Sequence, residues 1–105
     1  MKYNEILLNF KSLTDISGNP YGREIYKEQI KDNVDWSRIN KIIFPNNIET
    51  VSISFVQGLM AAIFEECPNE ILNKYPNNKA YFLDNFILYS EHEYLRESLI
   101  NSVKF

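Results

Sequence analysis

One apolar stretch in the middle of the chain constrains the fold more than any other feature. In residues 55–64 a glutamine and a glycine are the only interruptions, and the apolar side chains cover almost the whole circumference of a helix. A helix of this kind has to be buried on more than one side. The pattern therefore predicts a helix over residues 55–67, enclosed by other elements and ended by Pro68.

The other apolar segments predict a chain in which strands and helices alternate. Strands are predicted over residues 6–10, 41–44 and 80–84, with the apolar residues 86–88 either continuing the third strand or crossing to the next element. Helices are predicted over residues 20–33 and after a capping box formed by Ser90 and Glu93. This order predicts an α/β fold, with a single small, mostly parallel sheet of about four strands flanked by three helices.

The composition fits one globular domain over residues 1–105. A hydrophobic fraction of 45% and an aromatic fraction of 14% supply a packed core and argue against disorder. The net charge of −3 makes nucleic acid an unfavourable partner, because binding through phosphates needs a concentrated basic face. Without an apolar run long enough for a signal peptide or a membrane span, the chain is expected to be cytoplasmic and not to enter a membrane.

No set of residues has the pattern of a catalytic, cofactor or metal site. Cys67 is the only cysteine and His92 the only histidine, which excludes an internal disulfide and the usual zinc ligand sets. Cys67 ends an apolar helix and is expected to be buried, while His92 lies between two glutamates near a helix start and is expected to be exposed. The sequence therefore predicts a protein that is not an enzyme and works by binding another macromolecule.

A loop before the first predicted helix is the one candidate for holding a small anion. Residues 18–23 lie between a strand and a helix, where phosphate-binding loops also lie, but they lack the Lys-Ser/Thr pair of such loops. Free amides at the helix start, together with Arg23, are able to hold an anion. An exposed arginine beside a turn is the simpler interpretation. A nucleotide-binding or hydrolytic enzyme has only this loop in its favour.

Two serines precede the central helix and admit two interpretations. Ser54, with Gln57 three residues later, has the spacing of a capping box, and capping accounts for both Ser52 and Ser54. Alternatively, one of these hydroxyls contacts a partner or is phosphorylated, since the helix dipole favours phosphate there and the added charge changes what the surface binds. The residues by themselves favour capping.

Three segments resemble the STAS-like family of small bacterial domains. They are Gly22-Arg23 at the start of the first helix, the strand at residues 41–44, and the segment Val-Ser-Ile-Ser-Phe-Val-Gln-Gly-Leu at residues 51–59. The resemblance covers roughly residues 18–88, and the segment 51–59 is its most specific part. One departure is Phe44-Pro45, where an Asp-Phe pair is frequent in the family, and it weakens the case for kinase-linked switching more than the case for the fold.

The resemblance implies a regulatory module without a cofactor or a catalytic centre. STAS domains bind proteins such as anti-sigma factors and are switched by phosphorylation of a serine in the strand-to-helix turn, which by position is Ser52 or Ser54. The expected partner is then another protein, either a regulator or a kinase.

An immunity or inhibitor protein is the alternative to a regulatory module. Such a protein neutralises a toxin or another basic partner through complementary charge. Its candidate contacts are two acidic pairs: Glu65 with Glu66, and Glu91 with Glu93. In either case a homodimer is possible, because one small sheet does not cover both apolar stripes of the central helix and an uncovered patch favours self-association.

Overall fold

The strands of this protein are short and, within residues 2–105, pair only in parallel. The computed structural model describes residues 2–105. The strands are β1 (Asn4–Leu7), β2 (Asp15–Ile16), β3 (Asn40–Ile43), β4 (Thr50–Val51) and β5 (Phe86–Tyr89). The helices are α1 (Asn19–Ile25), a π-helix (Tyr26–Ile30) that continues it, α2 (Ile53–Glu66), α3 (Asn69–Leu72), α4 (Asn78–Asn85) and α5 (Glu93–Lys104). The predicted α/β architecture with a small parallel sheet is confirmed.

The main sheet has three strands in the order β1-β3-β5. Ile6, Ile42 and Leu88 stand side by side in its register, and all three are buried in the core. The opposite face carries Leu7, which is exposed, beside half-buried neighbours. Parallel strands need long crossovers. Here the first crossover contains α1 and the second contains α2, α3 and α4.

A second, two-stranded sheet corrects the prediction of a single sheet of about four strands. β2 pairs with β4, and the Thr50 hydroxyl donates to the Asp15 carboxylate across the pair at 2.6 Å. Strand β2 leads into α1, and β4 leads into α2. The small sheet therefore places the first turns of α1 and α2 next to each other.

The helices α1 and α2 approach so closely that only glycine fits at two positions. A Cβ added to Gly22 would overlap the carbonyl oxygen of Phe55, and one added to Gly58 would overlap the carbonyl oxygen of Asn19. Each glycine is thus required by the backbone of the opposite helix. This contact is the reason that a glycine interrupts the apolar run of α2.

The first helix is shorter and less regular than the predicted range 20–33. After α1 the chain widens into the π-helix, in which the Lys31 N–H donates to the Tyr26 carbonyl at 2.8 Å. The Asn33 N–H then donates to the Ile30 carbonyl at 2.8 Å. This bond closes a turn between residues only three apart, which directs the chain away from the helix. The helix therefore ends three residues before the predicted position.

The strand predicted over residues 80–84 is wrong, because these residues lie in α4. The side chain of Asn77 caps this helix and accepts a hydrogen bond from the Ala80 N–H at 2.8 Å. Tyr81 and Phe82 are adjacent and both buried, because they lie on the side of this helix that packs against the core. The third strand of the main sheet is instead the apolar segment that follows this helix, β5.

The first strand and the last helix start also differ from their predictions. The strand predicted over residues 6–10 is β1, which ends at Leu7. Its partner strand β3 is followed by Pro45, and proline has no N–H to continue the ladder of hydrogen bonds between the two strands. Ser90 does not cap the last helix as a capping-box residue. It is fully buried and accepts from the His92 N–H at 3.1 Å, and α5 begins at Glu93 without a side-chain cap.

The central helix is enclosed as predicted, and its neighbours are helices of the same chain. Phe55, Leu59 and Ile63 on one stripe are fully buried, as is Val56 on the other. The helices α1 and α5 pack against α2. On the second stripe Phe64 is only half-buried, and the predicted homodimer stays an untested prediction.

Replacing either glycine at the α1–α2 contact by alanine is expected to destabilise the fold. Gly58→Ala and Gly22→Ala should each lower the free energy of unfolding by about 1–3 kcal/mol, since overpacking against a backbone carbonyl forces the helices apart. Urea denaturation measures this loss. The control is Gln57→Ala, at an exposed position of the same helix. Wild-type stability of Gly58→Ala would contradict the close contact.

Candidate protein-interaction site

The start of α2 is tied to the start of α1 by one serine. Ser52 is the N-cap residue, and its Oγ accepts hydrogen bonds from the Phe55 N–H at 3.1 Å and from the Gly18 N–H at 3.3 Å. Gly18 has a positive φ of 99°, which favours glycine and aims its N–H at the serine. The predicted capping box at Ser54 is therefore wrong by two residues, and α2 starts at Ile53.

Of the two candidate serines, Ser54 is the accessible one. Ser52 is half-buried, and the two amide bonds occupy both lone pairs of its hydroxyl, so its O–H donates to Ser54 Oγ at 3.0 Å. Ser54 is exposed and caps nothing among the residues described. A phosphate on Ser52 would break the cap, whereas a phosphate on Ser54 would lie at the helix N-terminus with the cap intact.

A shallow apolar groove runs beside Ser54, between α2 and α5. We call it the α2–α5 groove. Its two depressions, of about 320 and 250 Å³, both contact Ser102 and Phe105. From α2 it is lined by Ile53, Gln57 and Ala61, and from α5 by Tyr94, Glu97 and Asn101.

Two aromatic side chains make the α2–α5 groove unusual for a protein surface. Tyr94 is 80% exposed and Phe105 is 77% exposed. Aromatic side chains supply much of the energy of protein–protein contacts when a partner buries them. Exposed apolar groups gathered in one groove, with polar residues at the rim, are typical of an interaction surface.

Sequence reasoning missed this groove, although one of its residues could have been placed. Leu95 and Leu99, with Val103 further along, form the buried stripe of α5. This spacing turns Tyr94 outward. The other wall of the groove is α2, and no local pattern indicates which helices pack together.

Arg23 contacts an anion, and that anion belongs to the same chain. Its Nη1 forms an ion pair with Glu65 at 2.8 Å, and its Nε donates to Asn19 Oδ1 at 3.3 Å. Both charged side chains are largely exposed, so the pair contributes at most about 1 kcal/mol to the stability of the fold. The predicted anion contact and one of the predicted acidic contacts therefore satisfy each other.

Glu66 is also engaged within the chain. It accepts a hydrogen bond from the Tyr26 hydroxyl at 3.0 Å and pairs with Lys31 at 3.3 Å. Burial, reinforced by the bond to Glu66, raises the pKa of Tyr26 well above its ordinary value of 10.0. The acidic patch predicted at this end of α2 is thus largely neutralised.

The second acidic pair lies elsewhere, with Glu91 in the turn after β5 and Glu93 at the first position of α5. Glu91 and Glu93 are both exposed there, and His92 between them is exposed as predicted, with its Nε2 2.6 Å from the Asn46 carbonyl oxygen. The neighbouring Tyr94 lies beside the first turn of α2, whereas the Glu65 pair lies at the opposite end of that helix. The structure does not bring the two acidic pairs together.

The remaining candidate groups do not assemble into a reactive centre. Cys67 is buried and its thiol contacts the Pro68 carbonyl oxygen at 3.7 Å. In the described part of the chain, no cluster of three or more His, Cys, Asp or Glu side chains is placed to hold a metal ion. Among these same residues no helix has both the length and the apolar character to cross a membrane.

Comparison with known proteins adds no relative to this description. No protein-family model, curated protein or solved structure matches the chain.

The two serines are expected to respond differently to removal of the hydroxyl. Ser52→Ala should lower the free energy of unfolding by about 1–2 kcal/mol, because it removes the N-cap and leaves the Gly18 N–H without its acceptor. Ser54→Ala is the matched control and should change stability little. Thermal and urea denaturation of both variants measure the difference. Equal losses would contradict the assignment of the cap.

Stability is expected to fall in alkaline solution. A folded-state pKa above the unfolded value stabilises the fold at lower pH, and this stability is lost as the pH rises through and beyond 10.0, where the unfolded tyrosine ionises. Tyr81 has a pKa raised by burial in the same way. Tyr26→Phe should therefore be less stable at neutral pH but lose less stability between neutral and alkaline pH. Urea unfolding at a series of pH values tests this, and an unchanged pH slope would contradict it.

Proposed function

We propose that this protein is a non-enzymatic regulatory module of the STAS-like kind, which binds another protein through the α2–α5 groove. The observation that carries the proposal is the exposure of Tyr94 and Phe105 beside the start of α2. Further support comes from the resemblance of residues 51–59 and from the small parallel sheet flanked by helices. The strand-to-helix turn emphasised by that resemblance lies at one end of the groove.

Ser54 is the residue at which binding is switched in this proposal. It is accessible, it neighbours Ile53 in the groove, and a negative charge there is favoured by the α2 dipole. A phosphate at this position adds nearly two negative charges to the rim of a groove that already carries Glu97. The modification therefore alters the binding surface without unfolding the helix.

An immunity or inhibitor protein has less support. That function needs acidic groups free to meet a basic partner, and Glu65 and Glu66 are already paired with Arg23 and Lys31. Glu91 and Glu93 keep their charge exposed, but they form a small patch in one turn. A binding affinity that falls steeply with salt would favour this alternative over the regulatory module.

Site-specific photo-crosslinking tests the proposed surface. A photoreactive phenylalanine analogue at Tyr94 or Phe105 should capture one defined protein from an extract of the source cell, while the same analogue at Leu13, an exposed apolar residue in another loop, should not. Capture that is independent of the position of the probe would reject the groove as the binding surface.

Charge substitution then tests the switch. Ser54→Asp should reduce capture from Tyr94 at least tenfold while leaving the urea midpoint within experimental error, because the charge lies at a helix N-terminus. Ser12→Asp, at another exposed serine, is the matched control and should capture as the wild type does. Unchanged capture by Ser54→Asp would remove this residue from the proposal.

A further inference from the structure

A second depression lies on the other side of α5, beside the free edge of β5. Its volume is about 220 Å³. Its floor is formed by Phe86 and Leu88 of the edge strand, with Ile87 beside them. Leu83 of α4 and Ile100 of α5 form its walls, and they are 46% and 43% exposed. Apolar walls that remain half in water around an apolar floor favour an apolar ligand.

One charged residue, Arg96, lines this otherwise apolar depression. Its guanidinium is held in place: Nε donates to the Ser90 carbonyl at 2.9 Å, Nη2 donates to the Glu91 carbonyl at 3.3 Å, and Cζ lies 5.0 Å from the centre of the Tyr89 ring. Its Nη1 makes no hydrogen bond within the described residues. Arg96 therefore presents a fixed donor, so a ligand can bind it with little further loss of side-chain entropy.

A second cation lies against the same tyrosine. The Nζ of Lys41 is 4.1 Å from the centre of the Tyr89 ring. Within residues 2–105 the ion pairs are Arg23 with Glu65 and Lys31 with Glu66, so neither Arg96 nor Lys41 has a carboxylate partner. One uncompensated positive charge in the depression, that of Arg96, with Lys41 on the neighbouring tyrosine ring, is complementary to an amphipathic anion.

We propose that this depression, the β5–α5 groove, binds a small amphipathic carboxylate such as a medium-chain fatty acid. The carboxylate accepts a hydrogen bond from the free Nη1 of Arg96, and the chain lies over Ile87 between Leu83 and Ile100. A charged donor suits a carboxylate, because a hydrogen bond between two ionised groups is stronger than one between neutral groups. The volume is smaller than the roughly 300–1,000 Å³ of drug-sized pockets, which favours a single chain of medium length over a larger ligand.

This inference does not depend on the proposed function, because the two grooves use different faces of α5. Of the two grooves, residues 96 and 100 line only the β5–α5 groove, residues 94, 97 and 101 line only the α2–α5 groove, and Val103 borders both. A failure of one proposal therefore leaves the other standing.

Titration of the whole protein with decanoate tests the carboxylate site. Calorimetry and amide NMR shifts, recorded below micelle-forming concentrations, should show one saturable site with shifts confined to β5 and α5. Decylamine should not bind, and decanol should bind at least tenfold more weakly than decanoate, since a hydrogen bond to a charged group contributes tenfold or more in affinity. Absence of saturable decanoate binding, or equal binding of decylamine, would overturn the proposal.

Two variants separate the charge from the apolar groove. Arg96→Gln should weaken decanoate binding at least tenfold and decanol binding little, with Arg38→Gln as the control at an arginine outside the groove. Leu83→Trp should fill the groove and abolish binding of both ligands, with Leu13→Trp as its control. Since Leu83 is half-exposed, this variant remains informative if Arg96→Gln fails to fold. Decanoate binding that survives Leu83→Trp in a folded protein would overturn the site.

The C-terminus of a peptide whose last side chain is apolar also places an apolar group beside a carboxylate. A short peptide ending in leucine, titrated in the same way, should bind more weakly than decanoate. Tighter binding of the peptide would overturn the assignment to a small acid and make the groove a peptide site.

Discussion

The backbone contact between α1 and α2 sets the spacing on which the rest of this molecule depends. Gly22 and Gly58 remove the side chains that would hold the two helices apart. A glycine inside a helix costs about 1 kcal/mol relative to alanine, so the contact has to return more than that through packing. Phe55 and Leu59 beside the contact are completely buried, and the Phe55 ring packs against those of Phe10, Tyr21 and Phe44. The same contact allows the hydrogen bond that joins the starts of α1 and α2, because it brings the Gly18 N–H close to the Ser52 hydroxyl.

With α2 fixed in this way, the helix α5 forms one groove on each of its two sides. One side of α5 meets α2 and forms the groove with Tyr94 and Phe105, and the other side meets the edge of β5 and forms the groove with Arg96. The two surfaces have different character. The first is broad, shallow and aromatic, which suits a macromolecule, while the second is small and apolar with a fixed charge, which suits a small anion.

The sequence predicts the parts of this fold that local patterns determine, and it fails where distant segments decide. The burial of α2, the parallel pairing implied by alternating elements and the exposure of His92 are all visible in the order of residues. The assignment of residues 80–84 to a strand failed because a short apolar run has no clear period, and the cap at Asn77 decides for a helix. The pairing of Arg23 with Glu65 was missed for another reason, since the two residues are far apart in sequence and meet only when α1 packs on α2.

The register of the main sheet also governs how the chain has to assemble during synthesis. Asn4 pairs with Asn40, and Asn40 pairs with Phe86, so no strand finds its neighbour close by along the chain. Such distant pairings make folding slow relative to helical proteins of similar length. On the ribosome, the central strand emerges well before β5, and until then its open edge is available to other chains. The nascent protein is therefore most vulnerable to aggregation while α2, α3 and α4 are being made.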